Sequence, residues 1–124
     1  KDKKKSDMTL KIKGRELKLD NYYSGVNKFN FKELFNKNLG SEDFIEIAKN
    51  SDFIFIENLP DFNENNSNQQ QRFITFVDIV YEKKIPLTIT SDIDLKLLSS
   101  SKSLIEPFKR TLSRLYELTS LEIN

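Results

Sequence analysis

The run Phe53-Ile54-Phe55-Ile56 constrains the fold more than any other feature of this 124-residue chain. Four consecutive apolar side chains between polar turns suit a strand buried on both faces, as in a parallel sheet. Residues 69–83 follow with Phe73, Ile74, Val77, Val80 and Tyr81 spaced for one face of a helix. Pro86 then opens a second strand, Leu87-Thr88-Ile89-Thr90. Strand, helix and strand within about forty residues make a βαβ unit, so the two strands are expected to be parallel and joined by a right-handed crossover. The fold class is therefore α/β. Ligands of such sheets sit beyond the carboxyl ends of the strands, here near Glu57-Asn58 and Ser91-Asp92.

The flanking elements read from local signals. Residues 1–8 are expected to be a disordered basic leader. Residues 9–13 and 16–19 both alternate apolar and charged side chains about Gly14-Arg15, which predicts a β-hairpin preceding the sheet. Residues 20–28 read as loop, and Phe29-Asn30-Phe31 leads into a short helix through Asn36. Gly40-Ser41 predicts a break with Ser41 as N-cap of a helix over 41–50, with Glu42-Asp43 in its first turn and Phe44, Ile45, Ile47 and Ala48 inward. Residues 57–71 are mostly polar loop, in which Ser67 and Gln70 have capping-box spacing. Residues 93–98 are expected to form a helical turn or two, residues 99–103 a flexible serine-rich link, and residues from about 107 to 119 a last helix burying Phe108, Leu112, Leu115 and Thr119.

Composition narrows the chemistry sharply. With no Cys and no His, disulfide scaffolds, thiol nucleophiles, Ser-His-Asp catalysis and Cys/His zinc sites are excluded. The three glycines, Gly14, Gly25 and Gly40, are scattered and none opens a G-x-x-x-x-G-K-[ST] phosphate loop. The formal net charge of +1 conceals segments of +6 (residues 1–37), −7 (38–82) and +2 (83–124). An acidic middle and a Lys-rich basic excess do not describe a specific nucleic-acid surface. No apolar run approaches the roughly 18 residues of a membrane span, and the basic start lacks the apolar stretch of a signal peptide. The compartment these features imply is cytoplasmic. A chain that begins at Lys1 rather than Met is expected to be a trimmed form or a piece of something longer.

The residues left to carry function are few. Arg110 and Arg114 lie four apart on the last helix, hence on one face, where two guanidinium forks form a clamp for an oxyanion or phosphate. The bland alternative is a solvated face in which Arg110 pairs with Glu106 and Arg114 with Glu117. Arg72, near the start of its helix, opposes the helix dipole and so has some other reason to be there. Asp78 is expected either to be exposed or to pair with Arg72 or the last helix. Asp92 and Asp94 have a spacing that holds Mg²⁺ only with further ligands. Tyr22, Tyr23 and Tyr81 read as packing residues.

Taken together, Gln71-Arg72-Phe73-Ile74-x-x-x-Asp78-x-x-Tyr81 and the later Phe108-Lys109-Arg110-Thr111-Leu112-Ser113-Arg114-Leu115-Tyr116-Glu117 resemble the C-terminal part of the ZapE-type ATPases, bacterial cell-division enzymes with mitochondrial relatives. Gly14-Arg15-x-Leu17, Phe29-x-Phe31-x-Glu33-Leu34, Asp43-Phe44 and Ile56-x-x-Leu59-Pro60 fall in the same order, so the resemblance spans residues 9–121. Departures are Gln71 for the first arginine of a pair, Phe35 for Cys, Phe44 for Tyr, Leu118 for Met, and Asp92 where Ala is common. The resemblance implies that residues 9–124 are the C-terminal half of an AAA-like, P-loop ATPase domain, with the Walker A and Walker B elements in a missing N-terminal half. It implies ATP and Mg²⁺ as cofactors of the full-length protein and none bound by this chain alone, which would be inactive by itself. Arg110 and Arg114 take a phosphate-sensing or finger role by similarity, with Arg72 and Asp78 positioning them. The implied partners are the missing half and the bacterial cell-division ring protein. The implied location is the bacterial cytoplasm, membrane-associated only through partners, or the mitochondrion in a eukaryote. The alternative reading is a stand-alone protein-interaction module from a truncated or split gene.

Overall fold

The computed structural model describes residues 6–12 and 14–120. Five strands, β1 (Ser6–Ile12), β2 (Arg15–Tyr23), β3 (Val26–Asn30), β4 (Phe53–Leu59) and β5 (Leu87–Ser91), form one sheet in sequence order. β1, β2 and β3 pair antiparallel, whereas β3, β4 and β5 are parallel. Four helices accompany them: α1 (Phe31–Phe35), α2 (Ser41–Lys49), α3 (Ser67–Glu82) and α4 (Ile105–Thr119). The α/β class, the parallel strands with flanking helices and the preceding hairpin are as the sequence predicts. β1 begins inside the segment expected as a leader, whose residues 1–5 lie outside the described residues.

The strand missed by the sequence reading is β3, which falls in the expected loop 20–28. One feature hides it. Asn27, polar yet buried, points to the core, where its amide donates to Ser51 Oγ at 2.7 Å and Ser51 Oγ in turn donates to the Ile47 carbonyl at 2.6 Å. Asn27 Nδ2 is thus bonded while its buried Oδ1 has no hydrogen-bond partner among the described residues, and a polar side chain in such a position is invisible to hydropathy. β2 turns into β3 through Ser24 (φ 46°) and Gly25 (φ 93°), both in the left-handed region.

The βαβ unit is present: β4 and β5 are neighbours, with Ile54 opposite Leu87 and Ile56 opposite Ile89. Ile54 and Ile56 are fully buried in the core, while Phe53 and Phe55, on the other face, lie 4.9 Å apart centroid to centroid. β4 runs on past the expected end to Leu59 through a register irregularity, where Asn58 takes φ 63°. At the centre of the core, Phe31, Phe35, Phe44, Phe62, Phe73 and Phe76 are buried in contact with one another.

Several local expectations shift by one or a few residues. Gly40, not Ser41, is the N-cap of α2, and its N–H donates to the Asp43 carboxylate at 2.8 Å. Ile45 is partly exposed, the other three expected residues being buried. Ser67 and Gln70 form no capping box. Asn63 and Asn66 bond reciprocally in a 3-10 turn (Glu64–Asn66) that runs into α3, and Gln70 is buried elsewhere. α3 buries Phe76 as well, with Tyr81 at its margin. α4 buries Phe108, Thr111, Leu115 and Leu118, with Leu112 half-buried against the same core and Thr119 exposed. The 3.6-residue stripe selects position 111, and Thr111 Oγ1 is satisfied by the Pro107 carbonyl at 3.2 Å.

The serine-rich segment is held in place. Ser99 N–H donates to Asp61 at 2.6 Å, Ser101 N–H to Gln70 Oε1 at 3.1 Å, and Lys102 N–H to Glu64 at 2.7 Å. Gln70 Nε2 also donates to Ser100 Oγ at 2.7 Å. Three side chains from the start of α3 and its approach thus fix the strap that launches α4, which sets α4 against α3.

Candidate functional site

The two outer helices meet along matched stripes. On α3 and just beyond it, Asp78, Tyr81 and Lys84 recur every three residues. On α4, Arg110, Arg114 and Glu117 recur at four and three, so the two rows face one another. Asp78 receives both arginines: Arg114 Nη1 donates to its Oδ1 at 2.6 Å, and Arg110 Nη2 lies 3.6 Å from its Oδ2. Arg114 is also stacked on the Tyr81 ring, with Cζ 4.6 Å from the centroid, and its side chain is only 25% exposed. Arg110 is 51% exposed and has the longer contact. Half of the Arg110 side chain is thus open to solvent, where its other N–H donors can be reached.

Below the arginines, Tyr81 Oη donates to Glu117 Oε1 at 2.8 Å, and Lys84 Nζ lies 3.2 Å from Glu117 Oε2 and 3.9 Å from the Tyr81 centroid. The hydrogen bond from Tyr81, followed by that from Lys84, holds the Glu117 carboxyl below the ordinary carboxylate range. The bond to Glu117 raises Lys84 above the ordinary ammonium value. A lowered carboxylate pKa contributes stability above the ordinary carboxylate pKa and loses it as pH falls through the lowered value. A raised ammonium pKa contributes below the ordinary lysine pKa and loses it as pH rises through the raised value. The helix contact is therefore strongest between those limits. In a carbon-detected NMR titration, Glu117 should titrate below the ordinary carboxylate range and move back toward it in Tyr81→Phe. An unchanged titration in that variant would remove Tyr81 as the cause.

The expected residues are thus partly reunited. Arg110, Arg114 and Asp78 form one cluster, with Asp78 paired to the last helix rather than to Arg72. Arg72 Nη1 donates instead to the Phe35 carbonyl at 2.8 Å, which satisfies the end of α1 and accounts for a cation near the start of α3. The bland pairings do not form either: Glu106 takes Lys109 at 3.1 Å, and Glu117 takes Tyr81 and Lys84. Tyr81, Lys84 and Glu117 were not anticipated as a unit, although their spacing matches that of Asp78 and the arginines.

The carboxyl ends of β4 and β5 are tied to each other and to neighbours. Asn58 N–H donates to Thr90 Oγ1 at 2.9 Å, Ser91 Oγ donates to the Leu59 carbonyl at 2.9 Å, and Glu57 pairs with Lys28 at 3.2 Å. Asp94 caps a 3-10 turn (Leu95–Leu97) through Lys96 N–H at 2.9 Å. Among the described residues no group of three or more His, Cys, Asp or Glu could hold a metal ion. The three glycines are scattered and do not form a glycine-rich phosphate loop.

A mixed α/β domain presenting two arginines on a shared carboxylate is the class that fold and site define. Compared with known proteins, residues 1–124 match the family model for AFG1-like ATPases, and the chain belongs to that family. It is 32% identical over 89 residues to lactation elevated protein 1 homolog B of Danio rerio, a stretch that is 72% of this chain and 18% of that protein. No solved structure matches. Among the described residues no helix is long and apolar enough to cross a membrane.

Proposed function

We propose that this chain is the C-terminal portion of a ZapE-type, AAA-like ATPase, and that ATP turnover requires an N-terminal half that carries the P-loop and the Walker B strand. The observation that carries the reading is the convergence of Arg110 and Arg114 on Asp78 at an outer face, within a chain of the AFG1-like family. In this reading ATP and Mg²⁺ are held by the other half. Arg110 meets phosphate oxygens as charge develops there, and Arg114 and Asp78 position it. Arg72 acts at a distance, by fixing α1 against α3. The full enzyme would work in the bacterial cytoplasm with the cell-division ring protein as partner, or in mitochondria in a eukaryotic setting.

The test compares three preparations in an ATP-turnover assay: the full-length protein, this 124-residue chain, and this chain mixed with the separately produced N-terminal half. Turnover is expected from the first and the third and not from the second. Hydrolysis by the pure chain would overturn the division of labour. Full activity of the N-terminal half without this chain would favour a protein-interaction module.

A further inference from the structure

The run Phe53-Ile54-Phe55-Ile56 is apolar on both sides of β4, yet the helices cover only one of them. Ile54 and Ile56 point into the core, and Phe53 and Phe55 project from the opposite face of the sheet. The crossovers from β3 to β4 and from β4 to β5 join parallel neighbours in sequence order, so both carry their helices over the same face. The packing agrees. The buried apolar residues of α1, α2, α3 and α4 all belong to the one core that holds Ile54 and Ile56, and neither Phe53 nor Phe55 is part of it. On the second face the register sets Val26 beside Phe53, and Lys28 and Thr88 on either side of Phe55. Its apolar centre is thus Val26, Phe53 and Phe55, rimmed by Thr88 and by the Lys28–Glu57 pair at 3.2 Å, and no helix of the described residues lies on it.

These features say what kind of layer belongs there. A strand that met solvent on one side would alternate apolar and charged residues, as β2 does at Glu16-Leu17-Lys18-Leu19, and β4 does not. Parallel strands occur almost only in sheets covered on both faces, and the cover is helical. A second copy of this chain would instead stack two sheets face to face, a packing that belongs to antiparallel sandwiches. The rim charges already hold each other, so the face offers a partner apolar area rather than charge. Relatives have the chain to supply such a layer, since the stretch matched in the Danio rerio protein is 18% of it.

We propose that the face formed by Val26, Phe53 and Phe55 is where the N-terminal half of the protein docks. That half lays an amphipathic helix across β3, β4 and β5, with its apolar stripe seated on Phe53 and Phe55. The inference rests on the division of the ATPase into two halves, and adds the surface that holds them together. This surface lies across the sheet from the arginine cluster of α3 and α4.

The chain has no cysteine, so Thr88→Cys supplies a single thiol beside Phe55, and Lys49→Cys a single exposed thiol on α2, on the helix side of the sheet. Each variant of the 124-residue chain is alkylated with N-ethylmaleimide, alone and with an excess of the separately produced N-terminal half, and the label is followed by intact mass. Sedimentation reports the complex. Alkylation of Thr88→Cys should slow about tenfold or more when the N-terminal half is added, with Lys49→Cys unaffected. Phe55→Lys should abolish co-sedimentation while still melting cooperatively, since that ring is half-buried outside the core. The thiol comparison decides alone if that variant does not fold. A complex in which Thr88→Cys reacts at the free rate overturns this surface, as does parent-like assembly of folded Phe55→Lys, and ATP turnover by that complex would leave the two-part ATPase standing. Absence of any complex overturns both. Slowing of Thr88→Cys as the chain alone is concentrated overturns the proposal in favour of a second copy.

Discussion

Replacing Phe35 with alanine should cost about 3–5 kcal/mol of folding stability, the range found when a buried phenylalanine is truncated without collapse of the site. Phe35 has no exposed surface, and its ring lies 4.7 Å from Phe31, 5.9 Å from Phe44, 5.5 Å from Phe73 and 5.4 Å from Phe76. Four aromatic partners arranged tilted or edge-on add about 0.5–1.5 kcal/mol per pair beyond area burial. They also belong to α1, α2 and α3, so the hole cannot be closed by moving one element. Helix α1 has only five residues, far below the length at which a helix is stable alone, and depends on this packing and on the Arg72 bond to the Phe35 carbonyl. Against a typical domain stability of about 5–15 kcal/mol the loss is severe. It should lower the urea midpoint by about 2 M at an ordinary m-value of about 1–3 kcal/mol/M. Phe55→Ala serves as the comparison, since that ring is half-buried on the opposite face of the sheet and should cost less than half as much. A loss below about 1 kcal/mol for Phe35→Ala would refute the central place of its ring in the core.

What could be read from the sequence, and what could not, follows from the kind of signal each element carries. β4, α3 and β5 were legible because burial imposes period on them: a four-residue apolar run, a 3.6-residue stripe and a strand opened by Pro86. β3 was not, because Asn27, a polar residue, takes a buried position in which Ser51 Oγ accepts its amide proton. The strap over residues 99–102 reads as a flexible link for the same reason, since its partners Asp61, Glu64 and Gln70 look like ordinary loop residues and only the fold brings them within bonding distance. At the site, the four-residue spacing of Arg110 and Arg114 made a shared face certain on any helix. That Asp78 pairs with the last helix is only one option in the sequence, and that it receives both arginines is not legible there. The linked trio Tyr81, Lys84 and Glu117 depended on how α3 and α4 cross, which neither helix encodes alone.

On the proposed ATPase reading, Arg110→Ala in the full-length protein should reduce turnover on the order of a thousandfold, as loss of an arginine finger does, with nucleotide affinity nearly unchanged. The two arginines are not equivalent, and the geometry says which one is available. Arg114 is committed to Asp78 at 2.6 Å and to the Tyr81 ring, and turning it outward would break both contacts. Arg110 has a 3.6 Å contact and is half exposed, so a phosphate oxygen can draw it away at little cost. Arg114→Ala should therefore act mainly on stability, by about 1 kcal/mol for a partly exposed charge-assisted bond, and reduce turnover less than about tenfold. Arg110→Lys should not restore activity, because a point charge lacks the planar fork that engages two oxygens together. Asp78→Asn separates the roles further. It keeps an acceptor for Arg114 but removes the charge that holds Arg110 inward, so turnover should fall through misplacement of Arg110 while the melting temperature shifts only modestly. Turnover of Arg110→Ala within about twofold of the parent, with ATP bound normally, would leave the cluster as a clasp between α3 and α4 and nothing more.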